Sequence, residues 1–246
     1  MNKYRADLHI HTVLSPCGDL EMSPKNIINK ALETGLDIIG ITDHNSTRHC
    51  KLIRKLAEIE GIFVLMGAEI TTKEEVHCLT FFENDEQLSE FQTYLENHLP
   101  PVPNNTDKFG YQVVVDENEM ITEEIEFLLI SALDQSIDQI EQRVHSLGGI
   151  FIPAHIDRPS YSINSQLGFI PDDLKIDGVE ISSKCKLENL PTLLGKNYTG
   201  SIIRNSDAHY IDQLGKAATI FEMEHRTFNE IKLALQGKSG RKVSIS

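Results

Sequence analysis

The stretch Tyr4-Arg5-Ala6-Asp7-Leu8-His9-Ile10-His11-Thr12 begins as a short apolar run and ends on two histidines one residue apart. On an extended segment alternate side chains point the same way, so His9 and His11 can meet one ion from one side. Downstream, Ser23-Pro24 offers an N-cap followed by proline at the first helical position. Ile27, Ile28, Ala31 and Leu32 then share a helical face that ends near Gly35. Ile38-Ile39-Gly40-Ile41 reads as a buried strand. Leu52, Ile53, Leu56, Ala57 and Ile59 mark a second helix, closed at Gly61 and followed by a strand over residues 62–66. This strand–helix alternation predicts an α/β protein with a parallel sheet covered by helices.

The alternation breaks further along. Asn84 with Gln87 resembles a capping pair ahead of the stripe Leu88, Phe91 and Leu95. Pro100-Pro101-Val102-Pro103-Asn104-Asn105 is a loop, and mixed strand and acidic helical sequence continues to about Leu147. A single domain over residues 1–246 is expected, with an insertion or lid at about 84–147. Strand signals resume at residues 150–153, 178–181, 201–204 and 218–221, and Thr227 caps a last helix through Ile231 and Leu235. The count is about seven or eight strands, enough to close a barrel.

Composition narrows the class. At 246 residues, 40% hydrophobic and 24% charged, the chain can bury a sizeable core and is neither disordered nor fibrous. Lys and Arg total 23 against 37 Asp and Glu, a net charge of −14. Such a balance predicts no extended nucleic-acid surface and no membrane partner. No apolar run nears the roughly 18–20 residues of a membrane span, and residues 1–7 lack a signal-like apolar segment, so a cytoplasmic location is expected. The cysteines Cys17, Cys50, Cys78 and Cys185 are scattered without a C-x-x-C pair and read as free thiols. The unusual number is ten histidines in an acidic chain.

Six of those histidines lie in or just after strand signals. His9 and His11 follow the first, Asp43-His44 the second, and Glu69 the third; His77 lies in the run 76–82. His155 comes just after residues 150–153, and Asp207 with His209 just after 201–204. In a barrel the C-terminal strand ends meet at one face, where such proteins place their chemistry. Imidazole suits zinc, iron and similar ions, and carboxylates also suit manganese and magnesium, so the mixed set names no single metal.

Five ordered motifs carry a resemblance: Asp7-Leu8-His9-Ile10-His11-Thr12, Ile41-Thr42-Asp43-His44-Asn45, Gly67-Ala68-Glu69, Pro153-Ala154-His155 and Ser206-Asp207-Ala208-His209. Together they resemble the polymerase and histidinol phosphatase (PHP) family. The resemblance implies a distorted (β/α)7, TIM-like barrel with its metal site at the C-terminal ends of the strands. It further implies up to three divalent ions (manganese, zinc or iron) and phosphoester hydrolysis by a metal-activated hydroxide. Carried over, His9, His11, Glu69 and Asp207 hold one metal, and Glu69 bridges to a second bound by His77 and His155. A third uses His44 and His209 with a ligand from the loop Ser15-Pro16-Cys17-Gly18-Asp19. Asp19 is the favoured ligand, because a carboxylate preserves hard-metal chemistry, and Cys17 is the alternative.

Around this set, Asp7 and Asp43 are expected one shell out, orienting imidazoles. Arg158 is placed to clamp a phosphate, and His209 or His44 to protonate the leaving oxygen. His49, His98, His145 and His225 read as surface or hydrogen-bonded bystanders. The expected substrate is a small phosphorylated metabolite or nucleotide; neither its identity nor the oligomeric state is readable. Two alternatives stand beside it: a metal-dependent hydrolase of a C–N or carboxylic ester bond, and a non-catalytic metal-binding accessory module.

Overall fold

The structure, a computed structural model, describes residues 1–195 and 198–245. In chain order its elements are β1 (Asn2–Ile10), α1 (Pro24–Glu33), β2 (Ile38–Ile41), α2 (Cys50–Ile59), β3 (Phe63–Thr71) and β4 (His77–Phe82). There follow α3 (Asp85–His98), α4 (Thr106–Phe109), β5 (Val113–Val115), β6 (Ile121–Glu124), α5 (Ile137–Ser146), β7 (Ile150–Pro153) and α6 (Ile163–Leu167). The chain ends with β8 (Val179–Ile181), α7 (Leu190–Leu194), β9 (Ile202–Arg204), β10 (Thr219–Met223), α8 (Phe228–Leu235) and β11 (Lys242–Ile245). The caps act as their chemistry predicts: Ser23 accepts from the Asn26 N–H, and Thr227 from the Glu230 N–H.

A curled sheet of seven strands, in the order β11-β10-β1-β2-β3-β4-β7, organises the α/β fold. The expectation of an all-parallel sheet needs correction. β1, β2 and β3 run parallel, but β4 pairs antiparallel with both β3 and β7, and β10 antiparallel with both β1 and β11. A separate parallel pair, β8–β9, meets both flanks of the curl. On one side the Asp177 N–H donates to Phe151 O (2.9 Å); on the other the Arg204 N–H donates to Thr219 Oγ1 (2.9 Å).

The two faces of the curl are distinct. Ala6, Leu8, Ile38, Leu65, Leu79, Phe81, Ile150 and Ile152 form the inner cluster, on which α8 lays Ile231 and Leu235. Ile39, Ile41, Val64, Met66, Cys78 and Phe82 face the outer cluster, with Ile27 and Ala31 of α1 and Ile53 and Ala57 of α2. Cys78 therefore points away from the face that carries its neighbour His77, as strand alternation requires. The termini of the 84–147 segment are part of this wall: α3 buries Phe91 and Leu95, and α5 buries Ile140 and Val144. Between them β5 and β6 form a small hairpin sheet of their own.

β1 contains the irregularity that matters most. Its register with β2 runs Ala6 to Ile38, Asp7 to Ile39, then Ile10 to Ile41, so β1 holds one residue more than β2 between the last two pairs. A bulge of this kind re-aims the side chains beyond it. Ala6 and Leu8 face the inner cluster, yet Ile10 faces the outer one, which turns His9 and His11 inward. Gly40 permits the bulge: a Cβ there would lie 2.4 Å from Leu8 O. Gly67 likewise lets β3 approach β4, since its Cβ would meet Thr80 O at 1.8 Å.

Candidate metal centre

Glu69, near the end of β3, is fully buried at the middle of a ring of imidazoles. Its Oε1 lies 2.9 Å from His77 Nδ1, 3.0 Å from His155 Nε2 and 3.3 Å from His9 Nε2. Its Oε2 lies 3.1 Å from His44 Nδ1 and 3.4 Å from His11 Nε2. Burial alone would push this carboxyl upward; His77, His9 and His44 overcome that and hold it well below the usual range. Asp207 sits opposite, its Oδ1 3.3 Å from His9 Nε2 and 3.4 Å from both His11 Nε2 and His209 Nδ1.

The ligand-type residues reach this point from several elements. His9 is the last residue but one of β1, His44 follows β2, His155 lies two residues beyond β7, and Asp207 and His209 follow β9. His77 arrives differently from the expectation: it starts β4, and the reversed direction of that strand brings its beginning, paired with Thr71, to the same face. Asp207 and His155 both hold left-handed backbone, at φ +51° and +28°, a conformation that bulky residues keep only where their surroundings impose it.

The hydrogen bonds around the ring settle how the imidazoles point. His9 Nδ1 is 3.0 Å from Glu180 Oε2, and Glu180 also accepts from the His155 N–H (2.9 Å) and Asn205 Nδ2 (2.7 Å). His11 Nδ1 meets Ser15 Oγ (2.9 Å), which in turn donates to Asp43 Oδ1 (2.8 Å). Each contact leaves an Nε2 aimed at the carboxylates. Glu180 escapes sequence reasoning; its one signal is a lone acid inside the apolar strand Val179-Glu180-Ile181, where it is buried. Asp43 acts one step further out than expected, through Ser15. Asp7 serves no imidazole: burial raises it to about 6, and it accepts from the Ser206 and Gly215 N–H groups, pinning the loop that carries Asp207.

The remaining expected residues fall in different places. His209 stacks on His11 (4.1 Å between ring centroids). Burial, with His11 beside it, lowers His209 to about 4, and burial likewise holds His44 well below its usual value. Both shifts favour the neutral imidazole, which carries one lone pair and one N–H. Arg158 stands at the rim and forms an ion pair with Asp207. Asp19 is not drawn into the ring: its Oδ1 accepts from the Glu21 N–H (2.8 Å), although its own N–H donates to His209 O (2.8 Å). Cys17 is exposed beside it, on a cavity of about 450 Å³ shared with Lys108, Phe109 and Tyr210. Of the two expected kinds of bystander His49 is the hydrogen-bonded one: it is buried, accepts the Val115 N–H at Nε2 (3.0 Å) and meets Thr12 Oγ1 at Nδ1 (2.6 Å).

A divalent cation fits this ring. His77 Nε2 and His155 Nδ1 are buried without a hydrogen bond, which is costly unless something else satisfies them. Three sets of ligand atoms lie close enough to share an ion: His9, His11 and Glu69; His44, Glu69 and His77; and His11, His44 and His209. In the absence of a cation, burial opposes charge on His9, but Glu180, Asp207 and Glu69 outweigh it and raise the imidazole well above its ordinary value. Protons and metal ions therefore compete for the same nitrogens.

The comparisons agree with this chemistry. The family model described as "PHP domain" matches residues 7–157, and one described as "PHP-associated" matches 196–237. The uncharacterised YqxK protein of Bacillus subtilis is 23% identical over 99% of this chain, which spans 64% of YqxK. Among solved structures, the lesion-specific endonuclease Q of Pyrococcus furiosus superimposes with a TM-score of 0.75 at 22% identity, covering 98% of this chain and 58% of that one. A Bifidobacterium adolescentis protein assigned as a metal-dependent phosphoesterase gives 0.59 at 19% identity, covering 83% and 87%. This chain thus spans less than two thirds of YqxK and of endonuclease Q.

One expectation is overturned here. An endonuclease Q structure similar to this chain (TM-score 0.72, 22% identity, covering 98% of this chain and 58% of that one) holds a 27-mer duplex with an abasic lesion at its active site. Net negative charge is therefore no ground for excluding nucleic acid, because the local field at a metal-bearing face, not the sum over the molecule, meets the substrate. Among the described residues no helix is long and apolar enough to cross a membrane. The ring of histidines around one buried carboxylate and the match over residues 7–157 lead to one conclusion: the chain belongs to the PHP domain family, whose members bind several divalent metals.

Proposed function

We propose that this protein hydrolyses a phosphoester, with a phosphorylated metabolite, a nucleotide or a nucleic-acid strand as substrate. The observation that carries the proposal is Glu69, a single buried carboxylate with five imidazole nitrogens within 3.4 Å. His9, His11, Glu69 and Asp207 would hold one divalent ion, Glu69, His77 and His155 a second, and His44 and His209 a third beside His11. Bound there, divalent ions supply Lewis acidity and bring the pKa of water toward about 7. The β8–β9 pair completes the curl into the distorted (β/α)7 barrel of the same proposal, with 84–147 as its covering insertion.

The protein's own groups do the rest. Glu180 and Ser15 hold His9 and His11 so that their Nε2 atoms face inward. Arg158, 43% exposed and already on Asp207, is placed to take a phosphoryl oxygen at the mouth. Lys108 and Tyr210 line the neighbouring cavity against the Cys17–Asp19 loop. The test is a manganese-supplemented screen of phosphomonoesters, nucleotides and a duplex with an abasic site, paired with metal analysis of the purified protein. Hydrolysis of at least one class, with divalent metal bound, is expected. Metal-free protein that turns over none of them after manganese addition contradicts the proposal.

A further inference from the structure

The loop Asp157-Arg158-Pro159-Ser160-Tyr161-Ser162 leaves the site between His155 and α6, and the hydrolysis described above has no use for Tyr161. The residue is nonetheless held with care. Its φ of +57° lies in the left-handed region, which a bulky side chain avoids. Four hydrogen bonds impose that shape. The Arg158 N–H donates to His155 O (2.9 Å), Ser162 Oγ to Arg158 O (2.7 Å), and the His77 N–H to Tyr161 O (2.8 Å). The Ser165 N–H donates to Ser162 Oγ (3.0 Å), anchoring the loop on α6.

The result is a flat ring laid on the metal-site rim. The Tyr161 ring stacks on His77, with centroids 4.8 Å apart and planes 24° apart, yet the residue is 43% exposed. His77 is the one ring stacked on it among the described residues. Its hydroxyl has no hydrogen-bond partner among the described residues, so no polar anchor accounts for its placement. Arg158, three residues earlier, stands on the same rim with its guanidinium at Asp207.

We infer that Tyr161 is a specificity-determining residue: its ring stacks the nucleobase of a substrate whose phosphate sits at the metal site. A rigid, pre-placed ring loses no rotamer freedom on stacking, and every base presents a π-face. The inference rests on the phosphoester reading and narrows it to substrates that carry a base, as against sugar or polyol phosphates. A ring that merely braced His77 would act through the metal site and affect all phosphate ligands alike.

Calorimetric binding to the manganese-loaded protein separates the two, with adenosine 5′-monophosphate and ribose 5-phosphate as probes. The nucleotide is expected to bind more tightly than the sugar phosphate. Tyr161→Phe keeps that preference, while Tyr161→Leu weakens nucleotide binding roughly tenfold and leaves ribose 5-phosphate unchanged. Tyr161→Gly, freed of the left-handed strain, shows the same selective loss without a lower Tm. Equal affinity of the wild type for both ligands, or equal loss for both in the variants, overturns the role of Tyr161 alone. Binding of neither ligand, with no turnover of any phosphoester, overturns the phosphoester reading and this one with it.

Discussion

Glu180 shows how much one side chain outside the ligand ring decides. It fixes His9 through Nδ1 and ties down the His155 backbone, so Glu180→Gln leaves the fold but loosens two arms of the ring. Loss of such a partner costs roughly 10–100-fold in metal affinity. A manganese titration of the variant should show that loss, and unchanged affinity would count against the assignment. The ring itself was legible in the sequence because histidines and carboxylates recur after successive strand signals, from His9 to His209. Glu180 was not, since a lone acid in a short apolar run reads equally as a strand-end charge. His145 offers a second test at this scale. Asp177 accepts from its Nε2, and with Glu141 outweighs burial to raise the imidazole above 6.5. A raised folded-state pKa contributes stability that is complete below about 6.5 and fades as pH climbs through the raised value. The Tm gap between wild type and His145→Gln should therefore be widest in mild acid and close toward alkaline pH; a gap constant with pH contradicts the pairing.

At the scale of elements, the bulge in β1 turns an apolar strand into a ligand-bearing one. Gly40 has room for no Cβ against Leu8 O at 2.4 Å, so Gly40→Ala must push β1 away or flatten the bulge. Overpacking of this sort costs about 1–3 kcal/mol. Chemical denaturation should register that cost, and turnover should fall further than stability because His9 and His11 are re-aimed. A variant of full stability and activity would show that the bulge does not set their direction. Helix caps and buried strands could be read from local chemistry, as at Ser23-Pro24 and Thr227. The reversed course of β4 and β10 could not, because a period of two looks the same in either direction and only long-range pairing decides. For the same reason the run 76–82 located His77 on a strand without saying which way that strand runs.

For the molecule as a whole, the formal charge of −14 belongs to the polypeptide alone. It misled on nucleic acid because a sum over the surface says little about the field inside one cleft, where Glu69 and Asp207 are committed to the imidazole ring. Ions bound at that ring also stabilise the folded state by mass action, about 2.7 kcal/mol at a hundredfold excess over Kd. Chelation should therefore lower the Tm and abolish activity together. The most direct measurement is phosphoester turnover by chelated, dialysed protein before and after manganese is returned, for the wild type and for Glu69→Gln. The wild type should be inactive without metal and recover with it, while Glu69→Gln stays inactive though folded; full turnover by the metal-free protein, or by Glu69→Gln, would contradict a metal centre built on Glu69.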